Sequence, residues 1–202
     1  MTIALLLVDL QNDFLHPQGA YHRGGAINPN ADGLVARVAE VATTARASGV
    51  PVLGTRFTLV PGTDGEPLVA EHLRRLRPFL GRGDFVEGSW GHAIIDELLP
   101  VDGVVDKVVY SAFRHTRLDW LLRSFGIDRV LVAGIVTNGG VASTVRDAHS
   151  RGFDVDVIGD CCAAFDRAVH EATLTSFSGV AGVVDSGRAT ELIRSEKRGV
   201  AG

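Results

Sequence analysis

The stretch RVLVAGIVTNGGVASTVRDAHS (129–150) places a strand pattern directly before a helical one. Its first part, RVLVAGI (129–135), is an almost unbroken apolar run, which is typical of a strand covered on both faces of a parallel sheet. Its second part, residues 138–150, has the spacing of an amphipathic helix. Further apolar runs predict five more strands, at residues 3–9, 50–57, 104–110, 153–159 and 180–185.

The segments between these runs are mostly helical in pattern. Amphipathic spacing predicts helices at residues 30–48, 116–125, 168–178 and 187–195. This alternation predicts a single α/β domain over residues 1–202, with a doubly wound, six-stranded, mostly parallel sheet and helices on both faces. Residues 10–29 and 58–90 interrupt the alternation of strands and helices, and loops of such length are commonly functional.

Composition limits the classes of function. The chain has 202 residues, of which 46% are hydrophobic, so it can bury a substantial core. Its formal net charge of −4 offers no attraction for nucleic acid or an anionic membrane. The N-terminal apolar run is too short for a signal peptide or a membrane span, so we expect a cytoplasmic protein. The adjacent cysteines, Cys161 and Cys162, favour two buried thiols over a redox role.

Polar residues at the ends of predicted strands are the first candidates for a site, because open α/β sheets bind ligands outside the carboxyl ends of their strands. Asp9 closes the first strand, and Lys107 lies inside the apolar run 104–110. Taken singly, Asp9 could be a capping carboxylate and Lys107 could extend along the sheet to solvent. Taken together, a strand-end carboxylate and a strand lysine can converge on one pocket and offset the cost of burying each other.

Common catalytic motifs are missing from the sequence. It has no G-x-S-x-G nucleophile elbow, no G-x-x-x-x-G-K-[ST] phosphate loop and no H-E-x-x-H pair. We therefore expect no metal and no cofactor, and a small-molecule substrate as the partner.

Three stretches resemble the isochorismatase-like hydrolases, also called the cysteine hydrolase superfamily: VDLQNDF (8–14), VVDKVVYSAF (104–113) and GIVTNGGVASTVRDA (134–148). The resemblance covers nearly the whole chain and implies a homodimer or homotetramer. Most members hydrolyse amides with an Asp–Lys–Cys triad, and by motif the first two residues are Asp9 and Lys107. The cysteine position, three residues after Thr137, holds Gly140. The metal ligands of the nicotinamidase branch have no counterpart in TRFTLVPG (55–62).

The resemblance also implies a backbone site beside position 140. It places a cis peptide bond between Val136 and Thr137, so that the amides of Thr137 and Gly140 would face the pocket and stabilise an anion. Side chains near the strand ends and in the long loops are candidates to contact substrate, and these are Phe14, Arg56, Trp90, His92, Phe113 and Arg114.

Glycine at position 140 leaves three functions open. Isochorismatases carry glycine there and hydrolyse a vinyl ether, which needs a general acid, here Asp9, and a water in place of the thiol. The loop at 136–138 resembles that of the amidase members instead, so the chain could be an amidohydrolase whose nucleophilic cysteine has been replaced. The third possibility is a catalytically silent binding paralogue.

Overall fold

The computed structural model describes residues 2–27 and 33–199, and in this part of the chain six strands form one sheet. The strands are β1 (Ile3–Val8), β2 (Val52–Phe57), β3 (Gly103–Lys107), β4 (Arg129–Ile135), β5 (Asp154–Ala163) and β6 (Gly182–Val184). Their order is β3-β2-β1-β4-β5-β6, and every neighbouring pair is parallel. The predicted doubly wound sheet is therefore confirmed, and it is parallel throughout rather than mostly parallel.

Helices follow the strands as the alternation predicts. They are α1 (Asn12–Leu15), α2 (Ala20–Arg23), α3 (Leu34–Ser48), α4 (Glu71–Leu76), α5 (Leu118–Ser124), α6 (Ala142–Ser150), α7 (Arg167–Thr175) and α8 (Ser186–Gly199). A 3-10 turn spans Asp96–Leu98, and a π-helical turn spans Thr137–Val141 directly before α6. The first residues of the predicted helix 30–48 lie outside the described residues. None of the described helices has the length and hydrophobicity needed to cross a membrane.

The sheet is buried on both faces, which explains the near-continuous apolar strands. All six residues of β1 are buried, and Leu5 and Leu7 belong to one core while Leu6 and Val8 belong to the other. Helices α3 and α8 cover the first core, and α5 and α6 cover the second. Each fully buried leucine contributes about 1.5–3 kcal/mol relative to an exposed one, so these two cores supply the main stabilisation of the fold.

Two strands differ in length from their predictions. β3 ends at Lys107, and residues 108–110 leave the sheet with exposed side chains, although the apolar pattern runs on to Tyr110. β5 continues to Ala163, so Cys161 and Cys162 lie within the strand rather than after it. Their prediction as buried thiols is confirmed, since both are free and buried.

The strand order places one crevice at the centre of the sheet. β1 and β4 are neighbours, but the chain winds outward from them in opposite directions. In doubly wound sheets the loops at such a reversal separate and leave room for a ligand at the carboxyl ends of the strands. Asp9 follows β1 and the π-helical turn follows β4, so both lie at this crevice.

Candidate active site

A buried ion pair between Asp9 and Lys107 forms the centre of the crevice. Lys107 Nζ lies 2.6 Å from Asp9 Oδ2, and the two side chains are only 1% and 4% exposed. Thr55 Oγ1 donates a hydrogen bond to Asp9 Oδ1 at 2.7 Å. Lys107 Nζ also donates to the carbonyl oxygen of Val109 at 3.1 Å. The pair is thus held by partners on both sides, as buried charges must be.

Strand register explains why these residues meet. Val8 is paired with Thr55 across β1 and β2, and Phe57 is paired with Lys107 across β2 and β3. Adjacent strand ends therefore bring a carboxylate, a hydroxyl and an ammonium group to one edge of the sheet. Asp9 has a φ of 56°, which is unfavourable for a residue other than glycine and is often found at functional sites. The convergence that the sequence predicts for Asp9 and Lys107 is what the structure shows.

Position 140 faces this pair. A Cβ atom built on Gly140 would lie 3.0 Å from Asp9 Oδ2 and 3.5 Å from the carbonyl oxygen of Ile135. A cysteine at this position would therefore direct its thiol toward Asp9. Gly139 N–H donates to Val136 O at 2.9 Å. Gly140 thus lies in a turn whose backbone passes directly in front of the Asp9 carboxylate.

The backbone of this turn differs from the expectation in two details. The cis peptide bond joins Ile135 to Val136, one residue earlier than expected. Thr137 is fully buried, and its hydroxyl is hydrogen-bonded to His170. Thr137 therefore does not line the cavity, although its amide was expected to face the pocket. Val136 and Gly140 do line the cavity, as expected.

A cavity of about 300 Å³ opens in front of the ion pair. Its polar wall consists of Asp9, Lys107, Arg77, Asn138 and the tyrosine side chains of Tyr21 and Tyr110, and its apolar wall consists of Phe14, Phe57, Leu73, Leu76 and Leu80, closed by Val136, Gly139 and Gly140. This volume suits a small organic molecule that is enclosed on most sides.

Arg77 is the second cation of the cavity. Its Nε donates to the hydroxyl oxygen of Tyr21 at 3.3 Å, and its Nη1 donates to Leu76 O at 2.8 Å. No carboxylate among the described residues lies within ion-pair distance of its guanidinium. Since Asp9 and Lys107 neutralise each other, Arg77 gives the cavity a net positive charge and a place for a substrate anion.

Two of the predicted substrate contacts are engaged elsewhere. Arg56 forms two hydrogen bonds to the carboxylate of Asp106, at 2.7 and 2.9 Å. His92 is fully buried, and its Nε2 lies 2.8 Å from Thr58 Oγ1. Burial lowers the pKa of His92, so the ring is neutral at pH 7. Neither residue lines the cavity, so the structure places both away from the candidate site.

Three more candidates also lie away from the cavity. Trp90 is half exposed and packs edge-on against His16. Phe113 belongs to the core on the face covered by α5 and α6. The Arg114 side chain is 66% exposed and lies 3.5 Å from Asp147. Of the six predicted substrate contacts, the structure places only Phe14 on the cavity wall.

No specific sequence signal identifies Tyr21 and Arg77 as cavity residues. Both come from the long segments 10–29 and 58–90, which were expected to be functional as a whole. No periodicity distinguishes Arg77 from its neighbours Arg74 and Arg75, and only the fold selects the one that faces the crevice.

No conventional nucleophile lines the cavity in the described part of the chain. Its hydroxyl groups are the phenols of Tyr21 and Tyr110. Burial in β5 raises the pKa of Cys161 to about 12 and that of Cys162 further still, so neither thiol ionises near neutral pH. The described residues also contain no group of three or more His, Cys, Asp or Glu side chains arranged to bind a metal ion.

The chain matches a known protein family over most of its length. The family described as "Isochorismatase domain" matches residues 3–188. A ureidoacrylate amidohydrolase RutB from Methylobacterium radiotolerans is 33% identical over 187 residues, which cover 87% of this chain and 72% of the relative.

Solved structures show the same fold. A cysteine hydrolase from Pseudomonas syringae pv. phaseolicola superposes with a TM-score of 0.82 at 27% identity, covering 96% of this chain and 92% of that one. The N-carbamoylsarcosine amidase from Thermoplasma acidophilum superposes with a TM-score of 0.72 at 30% identity, covering 92% and 97%.

Proposed function

The chain belongs to the isochorismatase family and is an isochorismatase-like hydrolase, and from that premise we propose that it hydrolyses a small anionic substrate without a covalent intermediate. Gly140 carries this proposal, because its missing side chain would point at Asp9 Oδ2 from a distance of 3.0 Å. The ion pair is present, but the position for a thiol is empty and the cavity wall offers no substitute. Hydrolysis must then proceed by proton transfer and direct attack of water.

A vinyl ether of the isochorismate type is the substrate class that best suits these groups. Its cleavage begins when an acid protonates the terminal alkene carbon, and water then adds to the resulting oxocarbenium ion and gives one proton back to the carboxylate. The hemiketal formed in this way collapses, which breaks the bond to the ether oxygen and releases pyruvate and the alcohol. In the proposed reaction Asp9 gives the proton from Oδ2, and Lys107 stabilises the carboxylate that remains. The space at Gly140 is on the order of one water molecule.

Arg77 supports the assignment of an anionic substrate. Its guanidinium lines the same cavity as Asp9 and has no carboxylate partner among the described residues. A substrate carboxylate there would be fixed by charge-assisted hydrogen bonds, with Phe14 and Phe57 along its apolar part.

Amide hydrolysis is the second candidate, and the relatives favour it. Two of the similar proteins are named as an amidohydrolase and an amidase, and one structure is named as a cysteine hydrolase. In this view the scaffold lost its nucleophile at position 140, and either water attacks the carbonyl carbon or the protein binds without turnover. The backbone amides of the turn beside Gly140 could stabilise the oxyanion formed in that attack.

Release of pyruvate tests the first candidate. Purified protein is incubated with isochorismate and with its 2-amino-2-deoxy analogue, and pyruvate is followed with lactate dehydrogenase. Asp9→Asn should lower the rate by about 10²–10⁴-fold, the usual contribution of a general acid, while Arg75→Gln on the surface should leave it unchanged.

Two other outcomes would point away from vinyl-ether hydrolysis. If no pyruvate forms and Gly140→Cys gains hydrolysis of carbamoyl amides, the chain is an amidohydrolase scaffold that lost its thiol. If neither pyruvate release nor amide hydrolysis is detected while pyruvate raises the unfolding temperature, the cavity binds a ligand without turnover.

A further inference from the structure

One side-chain hydrogen bond ties the turn that carries Gly140 to helix α7. Thr137 Oγ1 lies 2.8 Å from Nδ1 of His170. Thr137 is fully buried, whereas His170 is half-buried on a helix that has no fully buried residue. The bond therefore joins the turn, whose residues Gly139 and Gly140 line the cavity, to a surface helix.

Backbone hydrogen bonds and the burial of Val141 also hold the turn, and the Ala142 N–H donates to the carbonyl oxygens of Gly139 and Thr137. The turn's backbone hydrogen bonds from Gly139 and Val141 both end on the carbonyl oxygen of Val136, at 2.9 and 3.3 Å. Two adjacent glycines offer no side chain to pack, and glycine has more conformational freedom to lose than any other residue. Within the described part of the chain, Thr137 is the turn residue whose side chain hydrogen-bonds to another element.

We propose that His170 is a positioning residue, which holds Thr137 so that the open space at position 140 faces Asp9. This role rests on the proposed function, in which that turn forms one wall of the reaction cavity. His170 does not line the cavity and acts only through Thr137.

The charge state of His170 suits this role. Burial lowers its pKa, while Glu171 and Arg167 on the same helix act in opposite directions. The neutral ring protonated at Nε2 can accept the Thr137 O–H at Nδ1, which keeps the bond intact at pH 7. The turn residues that pack against the ring carry no charge.

Hydrogen exchange of the turn amides, followed residue by residue by NMR, tests the proposal without a substrate. His170→Ala and Thr137→Val each remove the bond, and we expect the amides of residues 137–141 to exchange about five-fold faster. His170→Asn can place its amide where Nδ1 lies and should stay within about two-fold of wild type. The double variant should exchange no faster than either single variant, because both remove the same bond.

His149→Ala is the matched control, because this exposed histidine of α6 has no bond to the turn. Unchanged exchange in His170→Ala, or single effects that add in the double variant, would overturn the proposal. With a substrate that turns over, His170→Ala should lower kcat and leave KM unchanged. Intact exchange effects without any turnover would refute the proposed function and leave the positioning role standing.

Discussion

Replacement of Lys107 by methionine removes an ammonium group that lies 2.6 Å from Asp9 Oδ2 and keeps most of the side-chain volume. Solvent cannot replace that group, because the Lys107 and Asp9 side chains are only 1% and 4% exposed. Breaking a buried ion pair from one side costs about 3–5 kcal/mol, since the remaining charge stays desolvated. Thr55 continues to donate to Asp9 Oδ1 at 2.7 Å, so we expect the lower end of that range.

Urea unfolding at pH 7 measures the loss. A decrease of about 3 kcal/mol should lower the unfolding temperature by about 6–12 °C in a chain of this size. Arg167→Met is the matched control, because Arg167 and Glu171 form an ion pair whose side chains are 79% and 62% exposed. Such a surface pair contributes less than about 1 kcal/mol.

A double variant separates charge from packing at this position. Asp9→Asn combined with Lys107→Met buries no charge and should be more stable than Lys107→Met alone. A Lys107→Met protein within about 1 kcal/mol of wild type would refute the reasoning. It would mean that water reaches the pair and that the cavity does not strengthen its electrostatic interactions.

Three further predictions concern the cavity and one buried histidine. Arg77→Gln should weaken binding of pyruvate, measured by calorimetry, by about ten-fold or more, whereas equal losses in Arg77→Gln and Arg75→Gln would contradict a specific carboxylate site. Gly140→Ala should lower kcat by about ten-fold or more, because the added Cβ would lie 3.0 Å from Asp9 Oδ2 and take the space of the water. An unchanged kcat would rule out a water at that position. Burial lowers the pKa of His92, so the unfolded state takes up the proton first, and the free energy of unfolding should fall as pH drops below about 6.5. Urea titrations between about pH 5 and 8 should show a weaker decline in His92→Asn than in His149→Ala, and equal slopes would exclude His92 as the cause.

The sequence alone predicts the six strands and the pairing of Asp9 with Lys107. Buried parallel strands require apolar residues on both faces, so runs such as residues 129–135 are recognisable without tertiary information. Asp9 and Lys107 could be paired because charged groups beside buried strands need partners. The end of β3 was missed, because Val108 and Val109 continue the apolar pattern after the strand has left the sheet.

The remaining cavity wall depends on long-range packing that no local pattern encodes. Phe113 was predicted as a substrate contact from its residue type, but it packs into the core on one face of the sheet. Arg77 follows helix α4 in a segment without periodicity, so no local pattern predicts that its side chain lines the cavity. The sequence predicts which types of side chain the site needs. Which particular residues of each type line the cavity depends on the fold.

The rate and labelling of released pyruvate, compared between wild type and Asp9→Asn, test proton transfer by Asp9 most directly. Turnover of isochorismate in D₂O, with the pyruvate reduced at once to lactate by lactate dehydrogenase, should give a methyl group with one deuterium. That deuterium comes from the acid that protonates the alkene carbon, and intact-mass spectra during turnover should show no covalent adduct. Absence of pyruvate, an unchanged rate in Asp9→Asn, or an acyl adduct on the protein would contradict a hydrolase that acts through Asp9 and water at the open position of Gly140.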